Sequence, residues 1–82
     1  MKNVTRVPED ARRQWITNYL SKRSSGEESV TFLVDRILEA GIRFPKSPVI
    51  AMQEFVCLGF ELRHVKNPQG GILRSYVRLG EP

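Results

Sequence analysis

A chain of 82 residues with a formal net charge of +4 has room for one domain with one hydrophobic core, but not for separate catalytic and regulatory domains. Its apolar fraction of 40% is typical of a folded domain, and no apolar run approaches the roughly 20 residues of a transmembrane helix. The first residues carry charge without a following apolar stretch, so we expect a cytoplasmic location and no membrane contact.

The residue types needed for catalysis or metal binding are scarce. Cys57 is the single cysteine and His64 the single histidine, so the sequence predicts no disulfide, no zinc cluster and no other cofactor. No nucleophile or acid–base pair accompanies His64 in a motif. Gly70 and Gly71 lie between two predicted strands, whereas a phosphate-binding loop joins a strand to a helix. We expect a non-enzymatic protein.

The charges are distributed unevenly along the chain. Residues 1–26 carry a net charge of +4, residues 27–42 a net charge of −3, and residues 43–82 a net charge of +3. Two basic segments therefore flank an acidic one. This pattern favours a polyanionic partner such as nucleic acid, although a basic balance also serves solubility alone.

The first predicted helix runs from Pro8 to about Arg23, after a loose arm at residues 1–7 that lacks helical periodicity. Its apolar residues recur at spacings of three and four and form one face: Ala11, Trp15, Ile16, Tyr19 and Leu20. Arg12 lies on this face, one turn before Trp15. We expect its guanidinium to stack on the indole or to lie across the rim of the core, in a structural role.

The second predicted helix spans about 26–40. Ser25 and Glu28 have the spacing of a capping box at its start, and Gly41 is placed to end it in a left-handed turn. Its buried stripe comprises Val30, Leu33, Val34, Ile37 and Leu38. Phe32 lies opposite that stripe, so it marks either a dimer or partner surface, or a contact beneath the N-terminal arm.

A connector at 42–46 leads into a third helix, predicted over 46–58 with Ser47 as N-cap and Pro48 at the first helical position. A helical-wheel projection divides its residues into two sets. The inner set is Ala51, Met52, Phe55 and Val56, and the outer set is Ile50, Gln53, Glu54 and Cys57. We expect Trp15 and Phe55 to be buried between the first and third helices.

A β-hairpin is predicted over 60–79, because two alternating segments flank a loop that contains Pro68, Gly70 and Gly71. The register that turns the apolar residues inward places Val65 opposite Ile72 and Arg63 opposite Arg74. The inward set is then Phe60, Leu62, His64, Leu73, Val77 and Leu79. Two arginines paired across strands repel each other, so an anion is the missing partner unless both side chains splay into water.

The order of three helices followed by two strands, together with Leu58-Gly59-Phe60-Glu61-Leu62-Arg63, resembles winged helix-turn-helix domains. The resemblance covers most of residues 1–82. It implies an α+β, mostly helical domain in which helix 46–58 enters the major groove of double-stranded DNA and the hairpin wing grips the backbone. It also implies a small regulator of transcription or replication. Because a domain this small covers few base pairs, we expect a dimer on a symmetric site.

The resemblance further implies a role for individual residues. Lys46 and Ser47 would approach phosphate, Ile50 a thymine methyl, Gln53 an adenine edge and Glu54 a cytosine amine. On the wing, the residues expected to grip phosphate are Arg63, Lys66 and Arg74, with Arg78 at the base.

Two features support a different function. Glu27 and Glu28 open the second predicted helix, an end that lies near the DNA backbone in many winged domains, and the outer face of the third helix carries no Lys or Arg. The alternative is therefore a winged-helix module that binds a protein partner. Its contacts would be Phe32, the acidic second helix, or Ile50 with Cys57.

Overall fold

The computed structural model describes residues 11–66, 68–70 and 74–79, which form a small α+β domain with three helices and a three-stranded antiparallel sheet. The elements in chain order are α1 (Ala11–Ser21), β1 (Glu27–Ser29), α2 (Val30–Glu39), α3 (Pro48–Cys57), β2 (Glu61–Val65) and β3 (Arg74–Arg78). The prediction of a mostly helical α+β domain with a C-terminal hairpin is confirmed. The predicted arm at 1–7 lies outside the described residues.

The helices of the described segments are too short and too polar to cross a lipid bilayer.

The start of the second helix differs from the prediction. Residues Glu27–Ser29 form β1, which pairs with β3 in the sheet order β1-β3-β2, and α2 begins only at Val30. The capping box of Ser25 and Glu28 is therefore wrong. The N-cap is Ser29, whose hydroxyl accepts a hydrogen bond from the backbone N–H of Phe32 at 3.3 Å. Pairing with the open edge of β3 outweighs local helix propensity over these three residues.

The predicted apolar stripes form the core. Its fully or nearly fully buried members come from every layer of the fold: Ile16, Leu20, Val30, Leu33, Val34, Ile37, Phe44, Ala51, Phe55, Leu58, Phe60 and Val77. Phe55 is completely buried, and its ring lies 4.7 Å from that of Phe44. Trp15 is only half-buried and stacks on Tyr19 at 5.5 Å, so the pair expected between α1 and α3 is only partly enclosed.

Two arginine side chains of α1 bind groups on α3 and at its C-terminal end. Arg12 forms an ion pair with Glu54 at 2.8 Å and lies over the ring of Phe44, not over Trp15 as predicted. Arg13 donates from Nε to the carbonyl of Leu58 at 3.0 Å. That carbonyl lies at the negative end of α3, where a cation is favourable. The arginines of α1 therefore act within the fold.

The hairpin register differs from the prediction by two residues. Leu62 lies opposite Val77, Arg63 opposite Tyr76, and Val65 opposite Arg74. A shift of two preserves the face on which each side chain lies, so Phe60, Leu62 and Val77 still face the helices. The predicted pairing of Arg63 with Arg74 is wrong. His64 lies on the same face as Leu62, as predicted, but it is exposed at the groove between β2 and α3. Ile72 and Leu73 lie outside the described residues.

The core makes one direct prediction about stability. Replacing Phe55 with alanine removes a fully buried ring that packs on Phe44, so the free energy of unfolding should fall by about 3–5 kcal/mol. Gln14→Ala, an exposed position on α1, is the control and should change it by less than about 0.5 kcal/mol. Urea denaturation followed by circular dichroism measures both. Equal midpoints for the two variants would show that Phe55 is not central to the core.

Candidate nucleic-acid and partner interface

The carboxylate of Glu27 binds two arginines on the outer face of the sheet, the face that points away from the helices. Arg63 on β2 donates to it twice, from Nε at 3.0 Å and from a terminal nitrogen at 2.6 Å. Arg78 on β3 lies 3.6 Å from it. The Arg63 side chain reaches Glu27 by crossing over the ring of Tyr76, 5.0 Å from the ring centroid. The anion expected near Arg63 is therefore supplied by the protein itself.

This ion pair fixes the charge state of its members. The hydrogen bonds from Arg63 hold the pKa of Glu27 below its ordinary value of 4.5, and the same contact raises the pKa of Arg63. Both groups are therefore ionised at neutral pH, and their charges cancel locally. Arg63 belongs to the sheet, and its charge is not free for an external phosphate.

Glu28 is also engaged internally. It accepts a hydrogen bond from the hydroxyl of Tyr19 at 2.9 Å and lies 3.5 Å from the guanidinium of Arg23. Burial, and then the bond to Glu28, raises the pKa of Tyr19. The two acidic residues expected at the start of α2 thus belong to β1 and have cationic or hydroxyl partners. They do not face outward at the N-terminus of that helix.

The N-termini of α2 and α3 open onto one shared pocket of about 470 Å³. Its lining consists of Ser29, Val30, Thr31, Pro48, Met52, Arg74 and Ser75. Arg74 is exposed at this pocket and has no carboxylate partner within the described residues. The positive dipole ends of two helices open onto this pocket. Arg74 lines it, and strand alternation places the Arg74 side chain on the same face of β3 as Tyr76 and Arg78.

The entrance to α3 adds further groups to this surface. Lys46 and Ser47 are both exposed, and Ser47 is the N-cap of α3, but its side chain makes no capping hydrogen bond. The Ser47 hydroxyl is therefore available to an outside ligand. Arg43 and Lys66 are exposed too, and neither has a carboxylate partner in the described segments.

The outer face of α3 is apolar. Val49, Ile50 and Val56 are 60%, 53% and 55% exposed. Val56 was predicted to point inward, but it follows Phe55 by one residue and therefore lies about 100° further round the helix. The prediction for Val56 is wrong because the buried stripe of α3 is narrow, with only Ala51 and Phe55 buried within the helix.

A second groove of about 510 Å³ runs between α3 and β2. It is lined by Val49, Met52, Gln53, Val56, Cys57, Leu62 and His64. None of these side chains carries a permanent charge, so the groove is suited to apolar contact and not to phosphate.

The remaining predicted site residues lie apart from one another. Gln53 is exposed and lines the apolar groove, whereas Glu54 is half-buried and its carboxylate is bonded to Arg12. Phe32 is 44% exposed on α2, with the guanidinium of Arg36 4.8 Å above its ring. The helix stripe predicted Phe32 to be exposed, and the spacing of four residues between Phe32 and Arg36 is the sequence signal for their contact.

The comparisons with known proteins add no assignment. No protein-family model, no curated protein and no solved structure matches this chain. Nor do the described residues contain a group of three or more His, Cys, Asp or Glu side chains able to hold a metal ion. The geometry of the surface is therefore the basis for a functional proposal.

The ion pair between Glu27 and Arg63 predicts how the free energy of unfolding depends on pH. Because the pKa of Glu27 is depressed in the folded state, its contribution is complete above pH 4.5 and is lost as pH falls through the lower folded value. Glu27→Gln should be less stable than the unmodified chain at pH 7, and the difference should shrink below pH 4.5. Thermal melts at pH 7, 5 and 3 measure this. A constant difference at all three values would rule out an ionic role for Glu27.

Proposed function

We propose that this chain is a winged helix-turn-helix domain that binds double-stranded DNA, as a small non-enzymatic regulator of transcription or replication. The observed order of elements supports the proposal. The strand β1, which lies between α1 and α2 in the chain, pairs with β3 of the hairpin. As a result, α3 and the hairpin lie next to each other. This is the arrangement in which a recognition helix and a wing contact the same duplex.

The shared pocket at the two helix N-termini is the observation that carries the proposal. Phosphates bind where backbone N–H groups are free and the helix dipole is positive, and here two such ends meet beside Arg74. The acidic side chains that would repel a phosphate there are held in the Glu27 and Glu28 contacts. A DNA strand passing over this pocket would meet uncompensated positive charge.

The proposed contacts differ in part from those that the sequence predicted. Lys46, Ser47 and Arg74 would hold the phosphate backbone at the pocket, and Lys66 would extend the grip along the hairpin. Arg63 and Arg78 are assigned to Glu27 instead. Glu54 is assigned to Arg12, so among the predicted base readers Ile50 and Gln53 alone remain exposed and unpaired. Recognition would then depend more on phosphate position than on base edges.

Salt dependence tests this assignment. Binding to a random duplex, measured by fluorescence anisotropy, should weaken with salt with a log–log slope of about −3 to −4, as expected for roughly four phosphate contacts. Arg74→Gln and Lys46→Gln should each weaken binding to all sequences alike and reduce the slope by about one. Lys22→Gln makes the same change of charge after α1, away from the pocket, and should leave the slope nearly unchanged. Equal losses of affinity in all three variants would mean that DNA binding depends only on the net charge of the protein and not on the pocket.

Freeing Arg63 from Glu27 should have the opposite effect, an increase in affinity for DNA. Glu27→Gln should free the guanidinium of Arg63 and remove a negative charge near Arg78, so affinity for duplex DNA should rise and the salt slope should steepen by about one. The double variant Glu27→Gln, Arg63→Gln is the control and should lose this gain. Unchanged affinity in Glu27→Gln would place the outer sheet face away from the DNA.

A second candidate function is protein binding, and the observation that favours it is the apolar outer face of α3. Three large apolar side chains on one small helix are exposed, and the groove beside them is uncharged. If the chain shows no affinity for duplex DNA at low salt, this candidate becomes the better account. Phe32 remains a predicted partner contact in that case.

A further inference from the structure

The strand β2 and the apolar groove beside it are two unpartnered features at the same edge of the domain. In the order β1-β3-β2, the strand β2 lies at the edge of the sheet within the described residues. The backbone groups along an edge strand have no ladder partner and are a template for another strand. The groove that contains Leu62 of β2 and Val56 of α3 opens beside that same strand.

We infer that this edge is the interface of a symmetric homodimer, formed by antiparallel pairing of β2 with β2 of a second copy. A twofold axis perpendicular to the sheet joins the two sheets into one. It also places both α3 helices on the same face of the joined sheet, next to each other above the junction. In this twofold arrangement, the second copy therefore covers both the open edge of β2 and the apolar groove.

Charge complementarity selects the register of this pairing. Side chains on one face of an antiparallel pair lie directly opposite each other, so the centre of symmetry must fall on a residue. A centre at Glu61 or at Arg63 would set like charges against each other. A centre at Leu62 instead places Leu62 against its own counterpart, and Glu61 of each copy opposite Arg63 of the other. Arg63 uses Nε and one terminal nitrogen for Glu27, which leaves its second terminal nitrogen for Glu61 of the partner copy. Glu61 is exposed and has no ion pair within the described residues.

The composition of the groove also suits a second copy. In an isologous interface each residue lies near its own counterpart, so any charge would face a like charge. The α3 side of the groove carries none, and Val49 and Val56 are 60% and 55% exposed. These side chains would be covered by the same groove of the partner, which removes apolar surface from water on both sides.

The inference rests on the second candidate function, protein binding, and names the partner as another copy of this chain. The phosphate pocket and the apolar groove share only Met52 among their lining residues, so phosphate binding at the pocket is compatible with the dimer. Gln53 lines the groove, so in the dimer it would be covered and Ile50 alone would remain as a base contact. The test of the dimer needs no DNA, so its failure is distinguishable from failure of either proposed function.

Sedimentation equilibrium of the full chain tests the dimer. The unmodified 9.4 kDa protein should sediment as a dimer of about twice that mass at micromolar concentration. Val56→Lys would bring two lysines together in the interface and should raise the dimer dissociation constant about tenfold or more. Ile50→Lys is the matched control on the same helix, since it is 53% exposed and does not line the groove. It should remain a dimer, and circular dichroism should show both variants folded.

Hydrogen exchange locates the interface. Backbone amides in β2 should exchange more slowly at high protein concentration than at low concentration, while those of β1, at the opposite edge of the sheet, should not change. A protein that stays monomeric at millimolar concentration overturns the inference. So does a dimer that survives Val56→Lys with concentration-independent exchange in β2. Dissociation by Phe32→Glu in place of Val56→Lys would assign the dimer to α2 and would likewise overturn it.

Discussion

The pairing of three residues, Glu27–Ser29, with β3 determines how the two halves of this chain fit together. It fixes β3 as the central strand, delays the start of α2 to Val30 and brings Glu27 within reach of β2. Val77 lies opposite both Glu28 and Leu62, and it is completely buried. Without β1, the hairpin would be a two-stranded unit, which is marginal in water.

The same pairing determines where positive charge remains on the surface. Glu27 neutralises the sheet arginines and Glu28 engages the end of α1, so the basic side chains left without a carboxylate partner include Lys46, Lys66 and Arg74. The positive charges of Arg63 and Arg78 are thereby compensated on the outer sheet face, whereas those of Lys46, Lys66 and Arg74 are not. The location of the charge on the folded surface, more than the net charge of +4, supports a phosphate-binding face.

Local patterns were sufficient to predict the helices and the hairpin. The stripes of α1 and α2, the left-handed turn at Gly41 and the end of α3 at Gly59 follow from spacing and glycine chemistry. The strand β1 was not predictable in this way, because Glu27–Ser29 has no alternating apolar pattern and adjoins a strong helical stripe. Its pairing partner lies some 50 residues away in the chain.

The errors in the candidate site arise from that missed strand and from the register. A shift by two leaves the apolar pattern unchanged, so the sequence could not distinguish Arg74 from Tyr76 as the residue opposite Arg63. The prediction that Arg63 and Arg74 share an anion depended on a cross-strand pair that does not form, and Glu27 supplies the anion beside Arg63. Similarly, Glu54 has the position of a base contact on a helical wheel, and only the fold shows that Arg12 binds it.

The most direct test of the central claim is a titration of isotopically labelled protein with a short DNA duplex at low salt, followed by backbone amide chemical shifts. We expect the largest changes at residues 29–31, 47–49 and 74–75, around the shared pocket of the two helix N-termini. Small changes should occur at Glu27 and Arg63. Absence of any change, or changes confined to the groove between α3 and β2, would contradict the claim that this surface binds DNA.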